Sequence, residues 1–112
     1  MGNDGNEQRA VLIYTTLPDE AAARKLGEAL VKERLAACVN IFPAMTSIYE
    51  WQGKLEHDSE AAMLVKTTGA RAREAMRAIA NLHPYEEPAI LQIPVTGGAR
   101  GYLEWLAGQT SG

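Results

Sequence analysis

The sequence predicts an α+β domain in which one four-stranded sheet carries two long helices on a single face, with a short helix at the C-terminus. Three observations predict it. The chain has 112 residues, the size of one domain rather than two. Its apolar patterning changes period in the order β-α-β-β-α-β and then α, which is the split βαβ or ferredoxin-like arrangement. Finally, the first and third strands are apolar on consecutive residues, Val11-Leu12-Ile13 and Met63-Leu64-Val65. Consecutive strand residues point to opposite faces, so both faces of this sheet want cover. Helices cover one face. A wet second face would form a larger apolar patch than soluble monomers carry, so another subunit is expected there.

The first strand is Val11 to Thr16, β-branched and aromatic. Leu17-Pro18-Asp19-Glu20 opens a helix, with Thr16 as the expected N-cap and acids at the positive helix end. Ala22, Leu26, Ala29 and Leu30 form its apolar stripe, opposite a charge ladder of Glu20, Arg24, Glu28 and Lys32. Ala37 to Phe42 reads as the second strand; Pro43 predicts a bulge before Ser47 to Trp51 resumes it. Gln52-Gly53-Lys54 is the turn of a long hairpin. The return strand runs through Leu55 and, past a polar interruption at residues 56–60, through Ala61 to Thr67. A second helix spans about Gly69 to Leu82, with Ala72, Ala75, Met76 and Ile79 inward and Arg71, Arg73, Glu74 and Arg77 outward. His83-Pro84 stops it. Ala89 to Val95 is the last strand, and Gly97-Gly98 precedes a short helix beginning at Gly101. Residues 1–8 and 109–112 are expected as flexible ends around a domain at 9–108.

Composition narrows the function. Eleven Lys and Arg against fourteen Asp and Glu give a net charge of -3, which disfavours a nucleic-acid partner. A single cysteine, Cys38, cannot form an intrachain disulfide, and no stretch suits a membrane helix or a signal peptide. A cytoplasmic protein is expected. No GxSxG elbow, P-loop or HExxH motif is present, and the residues alone point to no enzyme.

The densest group of donors is His83-Pro84-Tyr85-Glu86-Glu87-Pro88, where two prolines restrain an imidazole, a phenol and two carboxylates that suit a divalent ion. The plain alternative is a helix-ending histidine followed by solvated acids. Cys38 lies in an apolar strand and reads as a small hydrophobe, or else as a soft metal ligand. Glu56-His57-Asp58 is a second, less restrained cation candidate. Tyr49, Trp51, Tyr85, Tyr102 and Trp105 suit pocket walls or interfaces.

Taken together, Thr15-Thr16-Leu17-Pro18-Asp19-Glu20, Leu35-Ala36-Ala37-Cys38-Val39-Asn40, Ser47-Ile48-Tyr49-Glu50-Trp51-Gln52-Gly53-Lys54, Val65-Lys66-Thr67 and His83-Pro84-Tyr85-Glu86-Glu87-Pro88 resemble the CutA divalent-cation-tolerance family. The resemblance runs from about Val11 to Leu106. It implies a ferredoxin-like homotrimer, similar in architecture to the PII signalling proteins and joined through its sheets, with no enzymatic activity and no required cofactor. It also implies tolerance of copper and other divalent metals, and Cys38 and His83 occupy the family's cysteine and histidine motif positions. Some members carry a further cysteine where this chain has Thr15 and an acid where it has Ala89. The metal set expected here is therefore His83 with Glu86 or Glu87, and Cys38 if its thiol is a ligand rather than core. The competing expectation is a PII-like sensor that binds a small metabolite in inter-subunit clefts lined by Tyr49, Trp51, Lys66 and Tyr85. A ligand-free scaffold is the third.

Overall fold

The computed structural model describes residues 8–111. Their elements follow the expected order: β1 (Ala10–Leu17), α1 (Glu20–Lys32), β2 (Cys38–Trp51), β3 (Lys54–Thr68), α2 (Gly69–Leu82), β4 (Ile90–Pro94) and α3 (Arg100–Thr110). All four strands join one antiparallel sheet in the order β2-β3-β1-β4, so the two apolar-run strands sit at its centre. The fold is the ferredoxin-like arrangement with an added C-terminal helix.

Burial along β1 alternates strictly from Val11 to Leu17. Ile13 and Leu17, with Ala61, Met63 and Val65 of β3, pack beneath Ala23, Leu26 and Leu30 of α1 and Ala75 and Ile79 of α2. Close packing of α1 on the sheet depends on Gly27, where a Cβ would stand 2.7 Å from Val39 Cγ2. On the opposite face, α3 covers one end only: Leu106 packs with Ala10 and Ala37, flanked by Cys38, Val95 and Leu103. The rest of that face is uncovered within the subunit, and Phe42, Leu91 and Ile93 are exposed there.

Four sequence expectations change. The N-cap of α1 is Asp19, whose Oδ1 accepts from Ala22 N at 2.9 Å, rather than Thr16. Strand pairing carries β1 through Leu17, so the helix can start only after Pro18. The polar run at residues 56–60 does not interrupt the return strand. Every residue from Lys54 to Ser59 pairs with β2, and the irregularity lies on the other strand, between Phe42 and Met45 around Pro43. The hairpin closes through Gln52 and Gly53, both at positive φ, the two-residue turn that matches strand twist.

At the C-terminus, the last helix runs to Thr110 instead of yielding to a flexible end after residue 108. Arg71 Nε donates to Thr110 O at 2.8 Å and Arg34 Nη1 donates to Gln109 O at 3.1 Å, satisfying carbonyls the helix end leaves open. Arg71, expected to face solvent, is thus a clamp on α3. Thr110 is itself buried. The expected flexible segment at residues 1–8 lies almost wholly outside the described residues.

Candidate functional site

Between residues 45 and 60 the β2–β3 hairpin leaves the helices behind, and its pairing register decides which side chains share a face. Glu60 and Asp58 are two apart on β3 and therefore project from the same side. Ser47 and Tyr49 project with them from β2. Ser47 Oγ donates to Glu60 Oε1 at 2.7 Å, and the Tyr49 hydroxyl donates to Asp58 Oδ2. His57 has the opposite parity and faces away.

The loop after α2 closes this wall. His83, only 9% exposed, is fixed by two hydrogen bonds: its Nε2–H donates to Thr16 O at 2.8 Å, and its Nδ1 accepts from Tyr85 N at 3.1 Å. A carbonyl can only accept and an amide N–H can only donate, so the ring is the neutral Nε2–H tautomer. Tyr85 packs against it with ring centroids 5.0 Å apart, and its hydroxyl donates to Glu60 Oε2 at 2.7 Å. A relay of three hydrogen bonds therefore runs from β1 through the loop to β3.

Together these elements form an open groove of about 660 Å³ lined by Tyr49, Trp51, Asp58, Glu60, Tyr85, Glu86 and Glu87, together with Thr16 and Ala89. Four carboxylates and no basic side chain line it. Asp58 and Glu60 act on both neighbouring phenols. The hydrogen bond to Asp58 pushes Tyr49 up to about 12, with desolvation and the charges of Asp58, Glu56 and Glu60 adding to it. Tyr85 is raised as well, first by burial and then by its bond to Glu60 and the charges of Glu60 and Asp58.

The expected site residues are sorted by this geometry. Tyr49, Trp51, Tyr85, Glu86 and Glu87 come together in one groove. His83 stands behind it, with both ring nitrogens already hydrogen-bonded, so as a metal ligand it would have to surrender one of them. Cys38 belongs elsewhere: it is half-buried against the α3 cluster, opposite Lys66, at the level of Leu12 on β1. From Leu12 to Thr16, where His83 bonds, the strand advances roughly 13 Å. Lys66 also leaves the cleft set, its Nζ donating to the Tyr102 hydroxyl at 3.3 Å and lying 5.4 Å from that ring's centroid. Among the described residues, no three His, Cys, Asp or Glu side chains already converge as a metal cage.

Asp58 and Glu60 are the residues the sequence reading did not place in this site. Their signal was present, since acids at 56, 58 and 60 share one strand face, but it is visible only if residues 54–68 form one unbroken strand. Read as a rival to the 83–88 loop, the acidic run is in fact the facing wall of the same groove.

A split βαβ sheet with an extended hairpin and an acid-lined groove beside the loop after its second helix defines a small α+β domain. The chain belongs to the family described as CutA1 divalent ion tolerance protein, whose pattern its residues 11–109 match. It is 46% identical over 99 residues to the divalent-cation tolerance protein CutA of Thermus thermophilus, covering 88% of this chain and 96% of that protein. It is 40% identical over 101 residues to the chloroplastic CutA of Arabidopsis thaliana, covering 90% of this chain and 56% of that longer protein. Among solved structures, CutA from Xylella fastidiosa superposes with a TM-score of 0.89 at 37% identity, covering 92% of this chain and 99% of that one. The Thermus thermophilus protein gives 0.86 at 45% identity over 91% and 99%.

Proposed function

We propose that this chain forms a non-enzymatic homotrimer that binds divalent cations weakly in the acidic groove and thereby contributes to metal tolerance. The observation that carries the reading is the lining of the groove, four carboxylates with no basic side chain among them. Carboxylate oxygen accepts divalent ions readily, and among first-row metals copper(II) is expected to bind tightest, with zinc weaker. Glu86, Glu87 and Asp58 are the donors in this reading. His83 holds the loop that presents the two glutamates rather than ligating the ion itself. Since the donors do not converge beforehand, binding has to reorder side chains, and weak affinity follows.

Trimer formation has its own support in the uncovered sheet face, where Phe42, Leu91 and Ile93 are exposed. The acidic lining also argues against the competing sensor reading for an anionic metabolite, since the one cation expected to receive it, Lys66, is held at Tyr102.

Calorimetric titration of copper(II) and zinc(II) at neutral pH tests the proposal. Glu86→Gln with Glu87→Gln, and separately Asp58→Asn, should each weaken binding at least tenfold, while Cys38→Ala and His57→Ala leave it unchanged. Loss of binding in folded Cys38→Ala with full retention in the groove variants would overturn it.

A further inference from the structure

The last helix is weak by its own sequence. Residues 95–99 before it belong to no helix or strand, and its N-cap, Ala99, offers no side-chain oxygen to the open N–H groups of the first turn. No acid stands in that first turn and no base in the last. Gly101 and Gly108 lie inside it, the poorest helix former after proline, and packing demands neither, since an added Cβ would meet nothing within 4 Å. Only Leu106 and Thr110 are buried along its 11 residues, and Leu106 rests on a small cluster with Ala10 and Ala37, apart from the main core. A helix this short does not hold itself together in water.

Two arginines hold it instead. Arg34 sits at a φ of 60°, just past the C-cap of α1, where glycine is the usual residue and a side chain is strained. Its exposed guanidinium reaches 75 positions along the chain to donate to Gln109 O at 3.1 Å. Arg71 Nε donates to the next carbonyl, Thr110 O, at 2.8 Å. Both cations therefore meet the negative end of α3, where the helix supplies no base of its own.

We propose that α3 is a releasable strap over one end of the open sheet face, latched by Arg34 and Arg71 and able to lift as a unit on the 95–99 connection while the sheet stays folded. Lifting uncovers Ala10 and Ala37 and takes Leu103 and Leu106 away from the flank of Cys38. The open face then lengthens by that row. The latch is independent of any ion in the groove.

Native-state hydrogen exchange of the full chain tests it. Amides of Leu106 and Ala107 should exchange roughly a hundredfold faster than those of Ile13 and Met63, the mark of an opening smaller than global unfolding. Arg34→Gln and Arg71→Gln should each speed α3 exchange a further three- to tenfold or so, the loss of one partly exposed hydrogen bond from a charged donor, and leave Ile13 and Met63 as they were. Arg34→Gly should act with opposite signs in two places: it relieves the left-handed strain and slows exchange at the end of α1, yet speeds α3 as Arg34→Gln does. Alkylation of Cys38 by N-ethylmaleimide should rise in step with α3 exchange.

Equal exchange in α3 and in the core of the wild type overturns the strap, because the helix then opens only with the whole domain. If α3 exchange is unchanged in the arginine variants, they are not the latch and the proposal fails. Faster α3 exchange with unaltered Cys38 alkylation also overturns it, since the helix then frays in place without lifting. Should an arginine variant not fold, Gly108→Ala supplies the test from the other side: a better helix former should slow α3 exchange and Cys38 alkylation together, by roughly threefold. No slowing, or slowing of only one of the two, again sinks the strap.

Discussion

The two ends of the β2–β3 hairpin share one pairing pattern and differ in everything else. Toward β1, Ala61, Met63 and Val65 are buried under α1 and α2, with Val39 and Ile41 packed beside them. Toward the turn, no helix reaches, and Ile48, Trp51 and Leu55 stand 62%, 61% and 68% exposed. Backbone hydrogen bonding makes both ends strand, but only packing makes one of them core. The exposed end is where polar and aromatic residues alternate, and there the sheet face is available to build a groove instead of a core.

Core truncation gives the largest expected effect. Ile13→Ala, at a fully buried position, should cost about 2–5 kcal/mol in urea denaturation, because a cavity opens between sheet and helices. The distal pair should behave differently: Leu55→Ala in an isolated subunit should fall within about 0.5 kcal/mol. If the hairpin tip is covered in the proposed trimer, the same change instead shifts the sedimentation profile toward monomer on dilution. That outcome would show the contrast between the two ends to be a property of the single chain alone.

A smaller effect sharpens the boundary between the two regions. Gly27→Ala places a methyl 2.7 Å from Val39 Cγ2 and 3.4 Å from Met63 Sδ, and a branched valine in a strand has little room to give. The cost should be about 1–3 kcal/mol. Combining it with Val39→Ala should relieve part of that cost, so the two changes should be less destabilising together than their sum. Simple additivity would show that α1 lifts off the sheet as a body.

The smallest effect belongs to the groove. Tyr49 is raised to about 12 from the ordinary phenol value near 10, so its hydroxyl keeps its proton in the folded chain after an unfolded chain has lost it. The associated stability is complete below pH ~10 and is lost as pH rises through about 12. Phenolate absorbance should show a late-titrating component from Tyr49 and Tyr85 that Tyr49→Phe reduces. If that variant retains the whole late component, the Tyr49–Asp58 bond is not what holds the proton.

Local chemistry made much of this molecule readable from the sequence. Apolar periodicity marked each strand and helix, Pro43 marked the break in β2, Gln52-Gly53 marked the turn, and consecutive apolar residues in Val11-Leu12-Ile13 marked a strand that needs cover on both faces. The donor-rich loop at residues 83–88 was visible because its residue types lie next to one another in the chain. Tertiary structure decided what adjacency cannot express. Strand pairing turned residues 56–60 from an interruption into a wall, and alternation then sent Asp58 and Glu60 into the groove and His57 out of it. His83 gave its Nε2–H to a carbonyl 67 positions away, Lys66 went to Tyr102 on the last helix, and Arg71 turned from solvent to the α3 terminus. In each case a long-range partner fixed the side chain's role. A sequence states which groups are present and how they alternate, but which donor meets which acceptor depends on register and packing between segments far apart in the chain.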